Sequence, residues 1–222
     1  KIIMRSFLLV LITFLIFFSC NNQTDNDLKL KLDNNYPRWL KSGSYRTDQT
    51  SGITFIEEIN GEKIFLLADD IGKLHRLKVI TDTIFQISPV FFDKKVADSL
   101  AVYPKPDFEE IVYDKSTGKV FLSIEGNYPD PGNFSGIYSL NFKDNNIYSD
   151  SVASFDRLNI QPLEKFEKYL NNNIAYEGMA VDNNYLYLGL EGFTDQKIFA
   201  DSTIIFIIDK NDLQIKKEIS TK

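Results

Sequence analysis

Three stretches of this chain repeat one plan, and that repetition limits the fold more than any other feature. In SGITFIEEINGEKIFLLADD (51–70), DFEEIVYDKSTGKVFLSIE (107–125) and YEGMAVDNNYLYLGLE (176–191), an apolar run passes through a turn into a second apolar run that ends on an acid. Runs of Ile, Val, Phe, Tyr and Leu bounded by turn residues read as strands, and the Asn60-Gly61 pair between the first two reads as a tight hairpin. The other two hairpins turn at 115–118 and at Asn183-Asn184. Each is followed by two further strand-like runs: KLHRLKV and TIFQISPVFF, then GIYSLNF and NIYSDSVASF, then STIIFIID and LQIKKEIS. Three units of four antiparallel strands result, with Gly52, Glu110 and Gly178 at matching positions, 58 and 68 residues apart.

A recurring four-stranded unit is the pattern of a β-propeller, so the expected fold is all-β, with about three four-stranded antiparallel blades. The spacings exceed the ~40–50 residues of a minimal blade, which calls for insertions. One is legible in QPLEKFEKYLNNN (161–173), where Pro162 suits the first helical position, Leu163, Phe166 and Leu170 share a face, and the Asn run ends the helix. Three blades do not close a ring of about four to eight. With Lys1 ahead of a likelier start at Met4 and an uncapped last strand, the expectation is a C-terminally incomplete fragment of a longer propeller. Many short strands also fit a β-sandwich, the competing architecture.

The first twenty residues follow other rules. Arg5 precedes an unbroken apolar run from Phe7 to Phe18, then Ser19 and Cys20, the layout of a secretory signal. The run is too short for a confident spanning helix. The only cysteine of the chain closes this segment ahead of NNQTDND, a position that resembles the lipobox of bacterial lipoproteins. The resemblance implies lipidation at Cys20 and attachment to a membrane in the bacterial cell envelope, facing the periplasm or the cell surface. The expected organisation is a lipoprotein signal peptide over 1–20, a polar tether over 21–33 and the propeller domain over 34–222. Without a second cysteine, disulfides and thiol catalysis are excluded after processing.

The remaining composition narrows the chemistry. An excess of acids, 31 Asp and Glu against 25 Lys and Arg, and the lack of any basic cluster argue against a nucleic-acid partner. His75, the single histidine, alternates within a strand and reads as an ordinary strand residue. No Gly-Xaa-Ser-Xaa-Gly elbow or glycine-rich phosphate loop is present, and Trp39 reads as a core or docking aromatic.

The acids themselves fall in register. A hairpin centred on Asn183-Asn184 sets Glu177 opposite Glu191, and one centred on Thr117 sets Glu109 opposite Glu125 or one position away. In the first hairpin, Ser51 or Gly52 meets Asp69 or Asp70. Like charges facing across strands are destabilising, and a hard cation held by oxygen ligands would offset them. Asp107, Glu109, Glu125, Glu177 and Glu191 are the candidate ligands, and calcium suits them better than zinc in the absence of cysteine and clustered histidine. The alternative is that these acids are solvated strand ends.

KPDFEEIVYDKSTGKVFLSIEGN and the later QPLEKFEKYLNNNIAYEGMAVDNNYLYLGLEG resemble the paired motifs of the esterase-like-phytase β-propeller family, in which an acid-led E-G-[IL]-A strand, a turn and a strand ending in glutamate recur. The SdiA-regulated propellers share the SGITF…ADD and DFEEIVYD pattern, and gluconolactonase-type propellers place a metal-binding glutamate similarly. The resemblance spans Ser51 to Asp209. It implies a six-bladed ring when complete, calcium in an acidic channel, and hydrolysis of an esterified or phosphorylated small molecule with Glu109 or Glu177 as general base. The sequence departs from the family at Glu110, where glycine is expected, and at Ser51, where glutamate is expected. Two other readings stay open: a non-catalytic propeller lipoprotein binding a ligand or protein partner, and a purely structural fragment.

Overall fold

The computed structural model describes residues 40–103, 105–125, 134–170, 174–192 and 203–221. Cys20, the signal and tether segments and Trp39 lie outside the described residues. A two-stranded ribbon, β1 (Lys41–Ser42) and β2 (Tyr45–Arg46), leads into three antiparallel meanders, called modules here. Module 1 consists of β3 (Thr50–Ile59), β4 (Glu62–Asp69), β5 (Lys73–Val79) and β6 (Phe85–Phe92). Module 2 consists of β7 (Asp107–Asp114), β8 (Lys119–Glu125), β9 (Gly136–Phe142) and β10 (Ser151–Arg157). Module 3 consists of β11 (Tyr176–Val181), β12 (Tyr185–Leu190), β13 (Thr203–Asp209) and β14 (Ile215–Thr221).

A short parallel pairing of Ser151 and Val152 with Phe91 and Phe92 joins modules 1 and 2 into one eight-stranded sheet, ordered β3-β4-β5-β6-β10-β9-β8-β7. Module 3 is a four-stranded sheet of its own. The fold is therefore mostly β, and the twelve strands of the modules are those the sequence pattern predicts. Local chemistry explains the turns. Asn60 and Gly61 both take positive φ, 53° and 84°, as a two-residue turn matched to strand twist requires.

Two core layers hold the modules together. Ile56, Leu66, Phe108, Ile111, Leu122 and Ile124 pack between modules 1 and 2, and Phe121, Ile137, Phe166, Tyr176, Leu188 and Phe206 pack between modules 2 and 3. Strand β8 thus sends Val120, Leu122 and Ile124 to one layer and Phe121 to the other, which is why it reads as a continuous apolar run rather than an alternating one. Polar staples reinforce the layers. Arg76 donates to the carbonyls of Ile147, Tyr148 and Ser149, and Lys210 Nζ reaches Asp114 Oδ2 at 2.6 Å and the carbonyl of Asp182 at 2.6 Å.

Among the described residues, two α-helices sit between modules. The predicted helix is present as α2 (Leu163–Glu167), but Pro162 occupies the N-cap with extended backbone instead of the first helical position. Phe166 is buried and stacks on Tyr176 at a centroid distance of 4.7 Å, whereas Leu163, at the start of the helix, is exposed. The other helix, α1 (Lys94–Leu100), has no counterpart in the sequence reading. Only Val96 and Leu100 of it are buried, too few to make a helical period stand out.

Candidate metal centre

All three modules break their first hairpin at the same place. The β3–β4 ladder shifts between Thr50 and Gly52, the β7–β8 ladder between Phe108 and Ile111, and the β11–β12 ladder between Tyr176 and Gly178. An extra residue in one strand bends it and re-aims the side chain there. The matching extra residues are Ser51, Glu109 and Glu177. The register expected from turn centres is therefore corrected: Glu125 pairs with Asp107, not with Glu109, and Glu191 donates its N–H to the Ala175 carbonyl at 3.0 Å instead of facing Glu177 directly.

Because each bulge turns its residue toward the same end, the acids still converge. Single carboxylate oxygens of Asp70, Asp107 and Glu109 all lie within 4.8 Å of one another. Burial pushes the Glu109 carboxyl up to about 8, helped by the charges of Asp107, Asp70, Glu177 and Glu125. Burial likewise pushes Glu125 up to about 7, with Asp107, Glu191 and Glu177 adding to it. Glu177 is raised by burial and then by Glu191, Asp70 and Asp107, and Glu191 is raised by burial. Every residue expected as a ligand thus belongs to one electrostatic cluster.

Glu125 is the telling member. It is only 5% exposed; its Oε1 meets no hydrogen-bond partner among the described residues, while its carboxyl shares a side-chain hydrogen bond with Asp107. A buried carboxylate oxygen without a donor is costly unless a cation or a proton meets it. The donor set is entirely carboxylate, so the residues present could hold a hard divalent cation.

Two members of the site were not among the candidate ligands, although the register of the first hairpin places Asp69 or Asp70 at the same end. Asp70 ends the second strand of module 1 as Glu125 and Glu191 end theirs, a signal present in the repeated plan. Lys105 forms an ion pair with Asp107 and carried no signal, since it precedes the repeat. Conversely, Glu110 stands outside the cluster. Its carboxylate accepts from its neighbour's Ile111 N–H at 2.9 Å and from the Ile53 N–H, tying β7 to β3. Glu110 therefore staples module 2 to module 1. Gly52 lies against the same point: a Cβ there would sit 2.6 Å from the Glu109 carbonyl oxygen.

His75 lies in β5, as the alternation predicts. It is buried, its Nε2 lies 2.7 Å from Asp69 Oδ2, and its Nδ1 lies 2.5 Å from Tyr45 Oη. No helix among the described residues is long and apolar enough to cross a membrane. The chain matches no protein-family model and no curated protein sequence.

Proposed function

We propose that this protein is a lipid-anchored β-propeller of the bacterial cell envelope whose acidic end binds calcium, and that it hydrolyses a small esterified or phosphorylated molecule there. The observation that carries the reading is the buried, donorless Glu125 Oε1 beside the convergent oxygens of Asp70, Asp107 and Glu109. The three meanders support the propeller, because their first strands carry the same bulge and β3 presses against β7 at Gly52. The paired motifs that resemble esterase-like phytases support the chemistry, and the Cys20 segment supports the anchor.

In this reading Asp70, Asp107, Glu109, Glu125, Glu177 and Glu191 supply the ligands and the outer carboxylates of the site. Bound calcium would polarise an ester oxygen and lower the pKa of a coordinated water. Burial and the neighbouring acids keep the Glu109 carboxyl protonated up to about 8, so it is a proton donor near neutral pH in the metal-free site, and a bound cation would favour the carboxylate form that a ligand or general base needs; Glu177 lies next in the cluster. A second reading, a non-catalytic propeller whose calcium site binds a ligand or protein, is favoured by the absence of a basic cluster near the motifs.

Thermal unfolding in EDTA and then in millimolar calcium tests the metal. Calcium at about 100 times its dissociation constant should stabilise the fold by about 2.7 kcal/mol, a gain lost in Glu125→Gln. An unchanged melting temperature refutes the site. Calcium-dependent release of nitrophenol from p-nitrophenyl phosphate, abolished in Glu109→Gln, separates the hydrolase from the binding module.

A further inference from the structure

Among the described residues, Lys105 is the basic group paired with an acid of the cluster, and the fold holds it there. The Asp107 N–H donates to the Lys105 carbonyl at 3.0 Å, closing a tight turn that brings the ammonium onto Asp107 Oδ2. Pro106, the residue between, packs on Gly72, where a Cβ would sit 2.5 Å from the proline ring. Gly72 follows Asp70 by two residues, so this one contact fixes Lys105 beside acids from both modules. The Lys105 side chain is 48% exposed while that of Asp107 is 4% exposed, which places the ammonium at the rim and the carboxylate beneath it.

A divalent cation and an ammonium cannot share Asp107 at close range. At about 4 Å a doubly charged ion and a lysine repel by several kcal/mol in a site of intermediate dielectric. The lysine stem is flexible and its head is half in solvent, so the ammonium can swing away without disturbing the fold. Once displaced, it stays at the mouth of the site, where the cation now answers the charges of Asp70 and Glu125 that also act on Lys105.

We propose that Lys105 is an exchangeable occupant of this site: its ammonium holds Asp107 while the cation is absent and, once calcium takes that carboxylate, turns to an anionic oxygen of the ligand. The site then recognises calcium and an oxyanion together, and the ligand class is a small molecule carrying a phosphoryl or carboxylate group. The inference rests on the calcium reading of the same cluster.

Titration calorimetry of calcium into the EDTA-stripped protein, followed by inorganic phosphate or acetate into the calcium-loaded protein, tests it. Lys105→Met should bind calcium about tenfold more tightly, because a competing charge is gone, and should lose the oxyanion. Lys105→Arg should keep both wild-type behaviours. Acetate and phosphate distinguish a carboxylate from a phosphoryl ligand, and binding of either that disappears in Lys105→Met supports the exchange. Wild-type calcium affinity in Lys105→Met, retained oxyanion binding there, or failure of the wild type to take either oxyanion overturns it. If the wild type takes no calcium at all, the metal reading falls first and this one with it, whereas calcium binding unaltered by the substitution removes only the role of Lys105.

Discussion

Modules 1 and 2 bend at the same bulge and end their second strands on acids, yet they treat those acids in opposite ways. In module 1 the fully buried Asp69 accepts from the Asp48 N–H at 2.7 Å, from Thr50 Oγ1 at 2.7 Å and from His75 Nε2. Burial works against its charge, but these hydrogen bonds outweigh it and hold its pKa below the usual carboxylate range. Ser51, in the bulge, donates to Asp70 rather than repelling it. In module 2 the bulge residue is Glu109, its neighbours are Asp107 and Glu125, and both glutamates are pushed well above their ordinary values. One backbone device thus serves a satisfied latch and an electrostatically unsatisfied cluster. The difference lies in the donors placed around each, and it separates a stabilising acid from one suited to a ligand.

The comparison can be broken at its strongest point first. Asp69→Ala should cost about 3–5 kcal/mol in denaturant unfolding, because His75, Thr50 and the Asp48 N–H lose a buried acceptor together, while calcium affinity stays unchanged. A loss below about 1 kcal/mol would make the latch dispensable. Gly52→Ala should cost about 1–3 kcal/mol, since its methyl group must push the Glu109 carbonyl and the two bulges apart, and it should weaken calcium binding as well. Unaltered stability there would mean that β3 and β7 are not held at that contact.

Glu109→Gln sharpens the comparison because its sign should depend on the cation. In EDTA it should stabilise the protein by about 1 kcal/mol by removing a carboxyl that folding makes harder to ionise. In saturating calcium it should destabilise instead, and the same sign in both conditions would contradict a ligand role. The pH dependence is the smallest effect. Glu109 and Glu125 have raised folded pKa values, so the stability they lend by holding protons is complete below about 4.5 and is lost as pH rises through about 7 to 8. Asp69 has a lowered one, so its contribution is present above its ordinary value and is lost as pH falls. The metal-free melting temperature should therefore fall by a few degrees from pH 5 to 8, and calcium should flatten that slope.

Much of this was legible in the chain. The strands were, since KLHRLKV and GIYSLNF are β5 and β9 residue for residue and their edges are marked by turn residues. So was the membership of the acidic cluster, because Glu109, Glu125, Glu177 and Glu191 recur at the same points of a repeated plan. Pairing was not. Counting back from a turn assumes an unbroken ladder; here the turn centres between Ser116 and Thr117 rather than on Thr117 and the bulge moves each later partner by one more, which is how Asp107 came to face Glu125. Helix α1 was hidden for another reason, as seven residues with two buried positions carry no usable period.

The repeat of apolar runs, turns and terminal acids was thus determined by sequence alone, because strand alternation and turn chemistry are local and survive without neighbours. Tertiary structure decided what each acid meets. Whether a carboxylate finds donors, as Asp69 does from Asp48 and Thr50, or other carboxylates, as Glu125 does from Glu177 and Glu191, depends on residues far along the chain that only packing brings together. The same holds for Lys105, whose place over Asp107 is set by a proline ring resting on a glycine of another module.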